Sequence, residues 1–270
     1  MTAARQPEHA AGAAFDRIAS QYDELFTASP IGRLQRGVVW RHAVEAFPPG
    51  SRVLELNCGT GEDALFLAQR CVSVVACDAS VHMIRCAKLR KSREAPGASV
   101  SFSMLSIERL QELETQPLFD GVLSNFSGLN CVADIASVFN QISSRTRPGA
   151  KLLLCLSARF CAWEFLYYAS RGDFRKATRR CRGTATAKIG GQSFPIYYPG
   201  LRSLRKAAGP AFRLRSVTGI GILVPPSYLN PLVGRRPRLL TLLDRIDKVL
   251  SRLPIFRIAG DHMLLHLERV

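Results

Sequence analysis

The run Val53-Leu54-Glu55-Leu56-Asn57-Cys58-Gly59-Thr60-Gly61 limits what this chain can become more than any other stretch. An apolar, β-prone segment runs straight into a glycine turn and then into a helix-forming segment. Open α/β sheets bind ligands at such a place, at the carboxyl end of the first strand. Gly59 and Gly61 let the backbone turn tightly and approach a ligand with no Cβ in the way. The same alternation continues downstream. Strands are predicted at 52–56, 72–77, 100–105, 119–124 and 151–156, with helices at 62–71, 81–93 and about 134–145 between them. Pro48-Pro49-Gly50, Pro96-Gly97 and Arg147-Pro148-Gly149 mark turns. Strands and helices alternating at this spacing predict a parallel, doubly wound α/β sheet with right-handed crossovers.

A G-x-G loop alone does not choose a ligand, because Gly59-Thr60-Gly61-Glu62-Asp63-Ala64 also satisfies the dinucleotide pattern. Charge is the discriminator. A pyrophosphate needs a bare helix N-terminus, and here that turn carries Glu62 and Asp63, with Glu55 on the strand before it. S-adenosylmethionine has no phosphate and carries a sulfonium and an ammonium, which an acidic surround suits. The plainer reading, that Glu62 and Asp63 only complement the helix dipole, still counts against a dinucleotide. Asp78 ends the second strand, 17 residues after Gly61, where a carboxylate can accept both ribose hydroxyls of an adenosine. Ser80 is the better candidate to cap the next helix.

The glycine run, followed by Ala76-Cys77-Asp78-Ala79-Ser80-Val81-His82-Met83, resembles the class I S-adenosylmethionine-dependent methyltransferases of small-molecule metabolism. Phe15-Asp16-Arg17-Ile18-Ala19-Ser20-Gln21-Tyr22-Asp23 resembles the N-terminal helix of the ubiquinone and menaquinone group. Phe119-Asp120-Gly121-Val122-Leu123-Ser124-Asn125-Phe126 and Arg147-Pro148-Gly149-Ala150 look like that family's fourth strand and the turn before its fifth. The resemblance covers roughly residues 15–157. It implies a seven-stranded Rossmann-like methyltransferase sheet and S-adenosylmethionine as cofactor. It also implies cofactor contacts from Tyr22, Glu55, Asn57, Gly59, Gly61 and Asp78, continuing through Ala79, Met83, Ser106, Ile107 and Asn125. Two positions depart from the family pattern. Asn57 replaces its first glycine, and Ser106 stands where relatives carry an Asp near the adenine.

Residues beyond 157 read differently. The net charge of +16 lies wholly in 151–270, which hold 22 Lys and Arg against 6 Asp and Glu; the first 150 residues are balanced. An aromatic helix is predicted at about 160–169, a basic stretch at 171–182, and a hairpin over 184–198 turning at Gly190-Gly191. A short helix at 202–208 follows, then a strand at 212–224, an amphipathic helix at 237–253 and a last strand at 262–267. This divides the chain into a mobile tail (1–14), a cofactor-binding α/β core (15–157), a basic substrate cap (158–211), and two late strands flanking a helix (212–270). Segment 16–23 is expected to close over the cofactor. Asn125, Asn130, Trp163, Tyr167, Tyr197 and Tyr198 are acceptor-site candidates, each with ordinary packing as the plainer reading. No catalytic base is identified.

The eight cysteines include no C-x-x-C pair and read as buried, reduced thiols of a cytoplasmic protein, and no metal is expected. The expected partner is a small-molecule acceptor, amphipathic or anionic. A peripheral contact with an anionic membrane, at its cytoplasmic face, is the functional reading of the basic helix, against a reading in which its leucines pack on the core. The isoelectric point near 10.1 keeps a nucleic-acid methyltransferase open. Against it, Ser124-Asn125-Phe126 lacks the prolines of the amino-methylating enzymes, and no RNA-binding module is visible. A non-catalytic protein on the same fold and an NAD-linked oxidoreductase are further alternatives.

Overall fold

The computed structural model of the chain describes residues 10–113 and 117–270. Strands β1 (Arg52–Leu56), β2 (Ser73–Asp78), β3 (Val100–Met104), β4 (Phe119–Ser124) and β5 (Thr146–Ser157) form the parallel part of one sheet. β8 (Phe212–Ile220) and β9 (His262–Arg269) complete it, in the order β3-β2-β1-β4-β5-β9-β8. β9 runs antiparallel to both neighbours. The late antiparallel addition therefore has its last strand inside the sheet and β8 at the edge.

Successive strand residues feed opposite faces. Leu54, Leu56, Leu152 and Leu154 pack beneath α5 (Ile135–Ser143) and α8 (Leu201–Ala208). Val53, Val74, Leu123 and Leu153 pack against α2 (Pro30–Ala46), α3 (Glu62–Ala68) and α4 (Val81–Glu94). Both faces are covered, so these strands are apolar throughout rather than alternating. Helix starts follow local chemistry. Ser29 caps α2 by accepting from the Gly32 amide at 3.0 Å, Ser80 caps α4 from Met83 at 3.0 Å, and Asp134 caps α5.

Three boundaries differ from the sequence reading. The tail assigned to 1–14 is helical from Ala10: α1 (Ala10–Asp16) packs so closely that a Cβ on Gly12 would lie 2.9 Å from the Ala79 carbonyl oxygen. Residues 1–9 lie outside the described residues. Arg147-Pro148-Gly149 does not precede β5 but bulges within it, because Thr146 already pairs with Phe119 before Lys151 pairs with Gly121. Helix α2 has no counterpart in that reading.

The segment after β5 holds α6 (Ala162–Ala169), α7 (Phe174–Ala177) and a separate hairpin of β6 (Thr184–Ile189) and β7 (Gln192–Tyr197). Gly190 and Gly191 both take positive φ at its turn, as a two-residue hairpin loop requires. Part of the basic stretch turns inward. Buried Glu164 receives Arg179 at 2.7 Å and Arg180 at 2.9 Å, and Arg180 also reaches the Asp261 carboxylate at 2.8 Å. Burial alone would raise the Glu164 pKa; hydrogen bonds and charge from the two arginines hold it below the usual range. This cluster ties the segment after β5 to the start of β9. Replacing Arg180 with Met leaves Glu164 with Arg179, and Asp261 with no arginine partner, and should lower the unfolding free energy by about 3 kcal/mol, read from urea denaturation at neutral pH.

Candidate active site

A cavity of about 330 Å³ opens at the carboxyl ends of β1, β2 and β4. Its floor is the glycine loop. Gly59 takes φ +54°, and its amide donates to Asp78 Oδ2 at 2.9 Å; Asp78 Oδ1 accepts from the Ser80 amide at 2.8 Å. Each carboxylate oxygen keeps capacity for a further hydrogen bond, and Asp78 lines the cavity. Burial raises the Asp78 pKa, against the pull of those two amides. Asn57 occupies the left-handed region at φ +50°, which asparagine tolerates. Its amide donates to the Asn125 carbonyl at 2.6 Å and accepts from Ser124 Oγ at 2.6 Å, locking β1 to β4. Gly128 abuts this lock: a Cβ there would lie 2.1 Å from Asn57 Cγ.

Tyr22, Asn57, Gly59, Asp78, Ala79 and Met83 all line the cavity, as do Ser106, Ile107 and Asn125. Ser106 lines the cavity, and its buried Oγ has no protein partner. Two expected contacts do not reach it. Gly61 caps α3 at φ +80°, and a Cβ there would lie 2.9 Å from both Ala87 and Phe102, so its role is close packing. Glu55 sits behind the loop, buried, with no hydrogen-bond partner for Oε2. Burial and then the Asp63 charge push its carboxyl well above the ordinary range.

Sequence reasoning missed the cation that organises this end. Arg36, from α2, lines the cavity and donates to Asp63 Oδ2 at 2.5 Å, while Trp40 Nε1 donates to Oδ1 at 2.6 Å and Asn125 Nδ2 to Oδ2 at 3.0 Å. Arg36 Nε is buried without a protein partner. Glu62 pairs with Arg90. The acidic surround read from the sequence is therefore largely neutralised, and the argument from charge is weaker than three bare carboxylates suggested. No motif marked Arg36; one cation within an unassigned helix carries no local signal.

The cavity roof comes from α1, the segment after it, and the hairpin. Asp16 accepts from Ser80 Oγ at 2.6 Å, and Asp23 accepts from Thr60 Oγ1 at 2.6 Å and pairs with Arg90. Phe15 packs on both Tyr22 and Phe194, with ring centroids 6.3 Å apart in each case. The other acceptor-site candidates serve structure. Asn130 joins the Tyr197 carbonyl to the Ser157 amide, at 2.6 and 2.8 Å, and Trp163 Nε1 donates to the Leu223 carbonyl at 2.8 Å. Tyr167 packs on Tyr168 and Tyr228, and Tyr198 lies against Arg180. Tyr197 is half-buried on β7 and does not line the cavity.

Residues 53–149 match the family described as a methyltransferase domain. A demethylmenaquinone methyltransferase of Mycobacterium marinum is 29% identical over 144 residues, 52% of this chain and 56% of that protein. The tRNA 5-carboxymethoxyuridine methyltransferase of Escherichia coli K12 is 32% identical over 150 residues, 52% of this chain and 54% of its own. The chain thus spans about half the length of these curated relatives. Among solved structures, the N-methyltransferase NodS of Bradyrhizobium japonicum WM9, in complex with S-adenosyl-L-homocysteine, superposes with a TM-score of 0.58 at 15% identity. That superposition covers 97% of this chain and 98% of NodS. Residues 53–149 thus match a methyltransferase domain, and the chain has the class I S-adenosylmethionine-dependent methyltransferase fold.

Glu55 gives this site a pH signature. Its folded-state pKa is raised, so the folded state holds the proton more tightly than the unfolded chain does. Stability from this group is full below the unfolded value, about 4.3, and declines as pH rises toward the folded value. Glu55→Gln should therefore match the parent at pH 4 and exceed it at pH 8, in urea midpoints measured without ligand.

Proposed function

We propose that the chain binds S-adenosylmethionine in this cavity and transfers its methyl group to a small, largely apolar acceptor. The observation that carries the cofactor assignment is Asp78, held by two backbone amides and lining the cavity with capacity for further hydrogen bonds. There it would accept both ribose hydroxyls. The residues fit the rest of the molecule too. Arg36, a cation in the cavity wall, suits an amino-acid carboxylate, and the Ser106–Ile107 edge suits an adenine. Glu55 and Gly61 would act indirectly, by shaping the loop.

The sulfonium supplies an electrophilic methyl group, and attack is in line, so positioning the nucleophile contributes much of the acceleration. The hairpin, with the rest of 158–211 as the substrate cap, would do this through a wall of Ala187, Ile189, Phe194, Pro195 and Ile196, together with Phe15. Burial pushes the Tyr22 hydroxyl and the Cys131 thiol each up to about 12, so neither is a base at neutral pH. The acceptor would bring its own nucleophile: an amine, a thiolate or an already acidic oxygen or carbon. This apolar wall suits a small, largely apolar molecule.

No helix of the described residues is long and apolar enough to cross a membrane. A cytoplasmic site of action, with contact at the membrane face, is the reading we carry forward.

Asp78→Ala should weaken S-adenosylmethionine binding by about tenfold to a hundredfold, from the loss of charge-assisted hydrogen bonds; equal calorimetric affinity for both proteins would sink the assignment. With methyl-labelled cofactor and cell lysate, label should pass into solvent-extractable small molecules. Label confined to the RNA fraction would refute the acceptor class, and none in any fraction would favour a non-catalytic protein.

A further inference from the structure

The helix α10 (Pro237–Leu250) has three distinct faces. Leu240, Asp244 and Asp247 turn inward, with Ser251 just beyond the end. The cause is local. Strand β8 stops at Ile220, and the next backbone amides need acceptors. Asp247 takes three of them, from Ile222 at 3.1 Å, Leu223 at 2.7 Å and Val224 at 3.1 Å.

With that polar side pinned to the protein, the apolar side is left outside. Leu239, Leu242, Ile246, Val249 and Leu253 recur at three- and four-residue spacing, each between 37% and 69% exposed, and Ile255 extends the patch at 76%. A third face carries Arg238, Arg245 and Arg252, one every seven residues; no hydrogen bond or ion pair is seen for them among the described residues. Lys248 is held by Asp244 at 2.7 Å.

We propose that this face lies flat on an anionic lipid surface, with the leucine stripe in the acyl boundary and the arginine row among the headgroups. An apolar stripe beside a cationic one is the pattern of an interfacial helix. Its 14 residues span about 21 Å, too short to cross the roughly 30 Å hydrocarbon core. A second copy of the chain fits poorly in an antiparallel pairing, which would set one arginine row beside another with both helix carboxylates turned inward. Of the basic stretch at 171–182, Arg179 and Arg180 are spent on Glu164, so the contact rests on α10. This inference stands on the surface alone and does not depend on the cavity's chemistry.

The test is co-sedimentation of the full chain with phosphatidylcholine vesicles, with and without phosphatidylglycerol, at low and high salt. The full chain should pellet only with the anionic vesicles, less so at high salt. Arg245→Gln/Arg252→Gln should weaken binding by about 25-fold, at roughly fivefold per charge. Leu242→Gln/Val249→Gln should release the protein with an unchanged melting temperature, since both side chains are already in water. Failure of the full chain to pellet at low salt would overturn the proposal. So would full retention of the glutamine-for-leucine variant, which would mean adsorption by charge alone. A stable dimer that this variant dissociates, with no vesicle binding, would assign the face to a second copy.

Discussion

The Asp63 carboxylate is the contact on which the candidate site depends. It accepts from Arg36, Trp40 and Asn125, and so binds α2, α3 and the end of β4 into one wall. A buried ion pair is seldom worth its desolvation in stability; what this one supplies is position. Arg36 is held from the other side by the faces of Phe126 and Phe26, 5.0 and 5.7 Å from its guanidinium carbon. A guanidinium gripped by one carboxylate and two rings holds its place in the cavity wall without reorganising. Glu55, behind it, has no such partner, and burial drives it toward the neutral form.

The roof depends on the same economy of charge. Arg90 joins Glu62 of α3 to Asp23 of the N-terminal segment, and Asp16 reaches the capping Ser80. These contacts are polar, with Arg90 and Ser80 largely buried, whereas those beneath the sheet are apolar. Local opening has a lower free energy where few buried apolar contacts hold a segment. Over the cavity, Phe15 packs on Tyr22 and Phe194 beside those polar contacts, so the roof is held by both kinds.

Much of this was legible in the sequence where a residue's role is enforced by its immediate neighbours. The glycine loop, Asp78 at a strand end, Ser80 as a cap and the Gly190-Gly191 turn each follow from local backbone geometry. The hairpin's place over the cavity does not, because it rests on Phe194 meeting Phe15 from a distant part of the chain. Arg36 was silent for the same reason. Its meaning comes from Asp63, 27 residues away, which the sequence reading took as part of an acidic surround for the cofactor or as a complement to its own helix dipole. Arg147-Pro148-Gly149 spelled a turn correctly, but a register shift between strands absorbed it into a bulge.

Helix α10 marks a limit of a different kind. Periodicity fixes which residues share a face, yet says nothing about which face meets the protein. The ordinary assumption is that leucines point in. Here three orphaned amides after β8 outweigh it. An unpaired buried amide costs about 1–3 kcal/mol, and Asp247 meets three of them while Leu240 is buried on the same side of the helix. One carboxylate satisfying all three amides can therefore turn the helix over. A chain with this inversion keeps an apolar surface in water unless something else covers it. The uncompensated arginines along its flank, in the half of the chain that holds the whole positive excess, narrow what that cover can be.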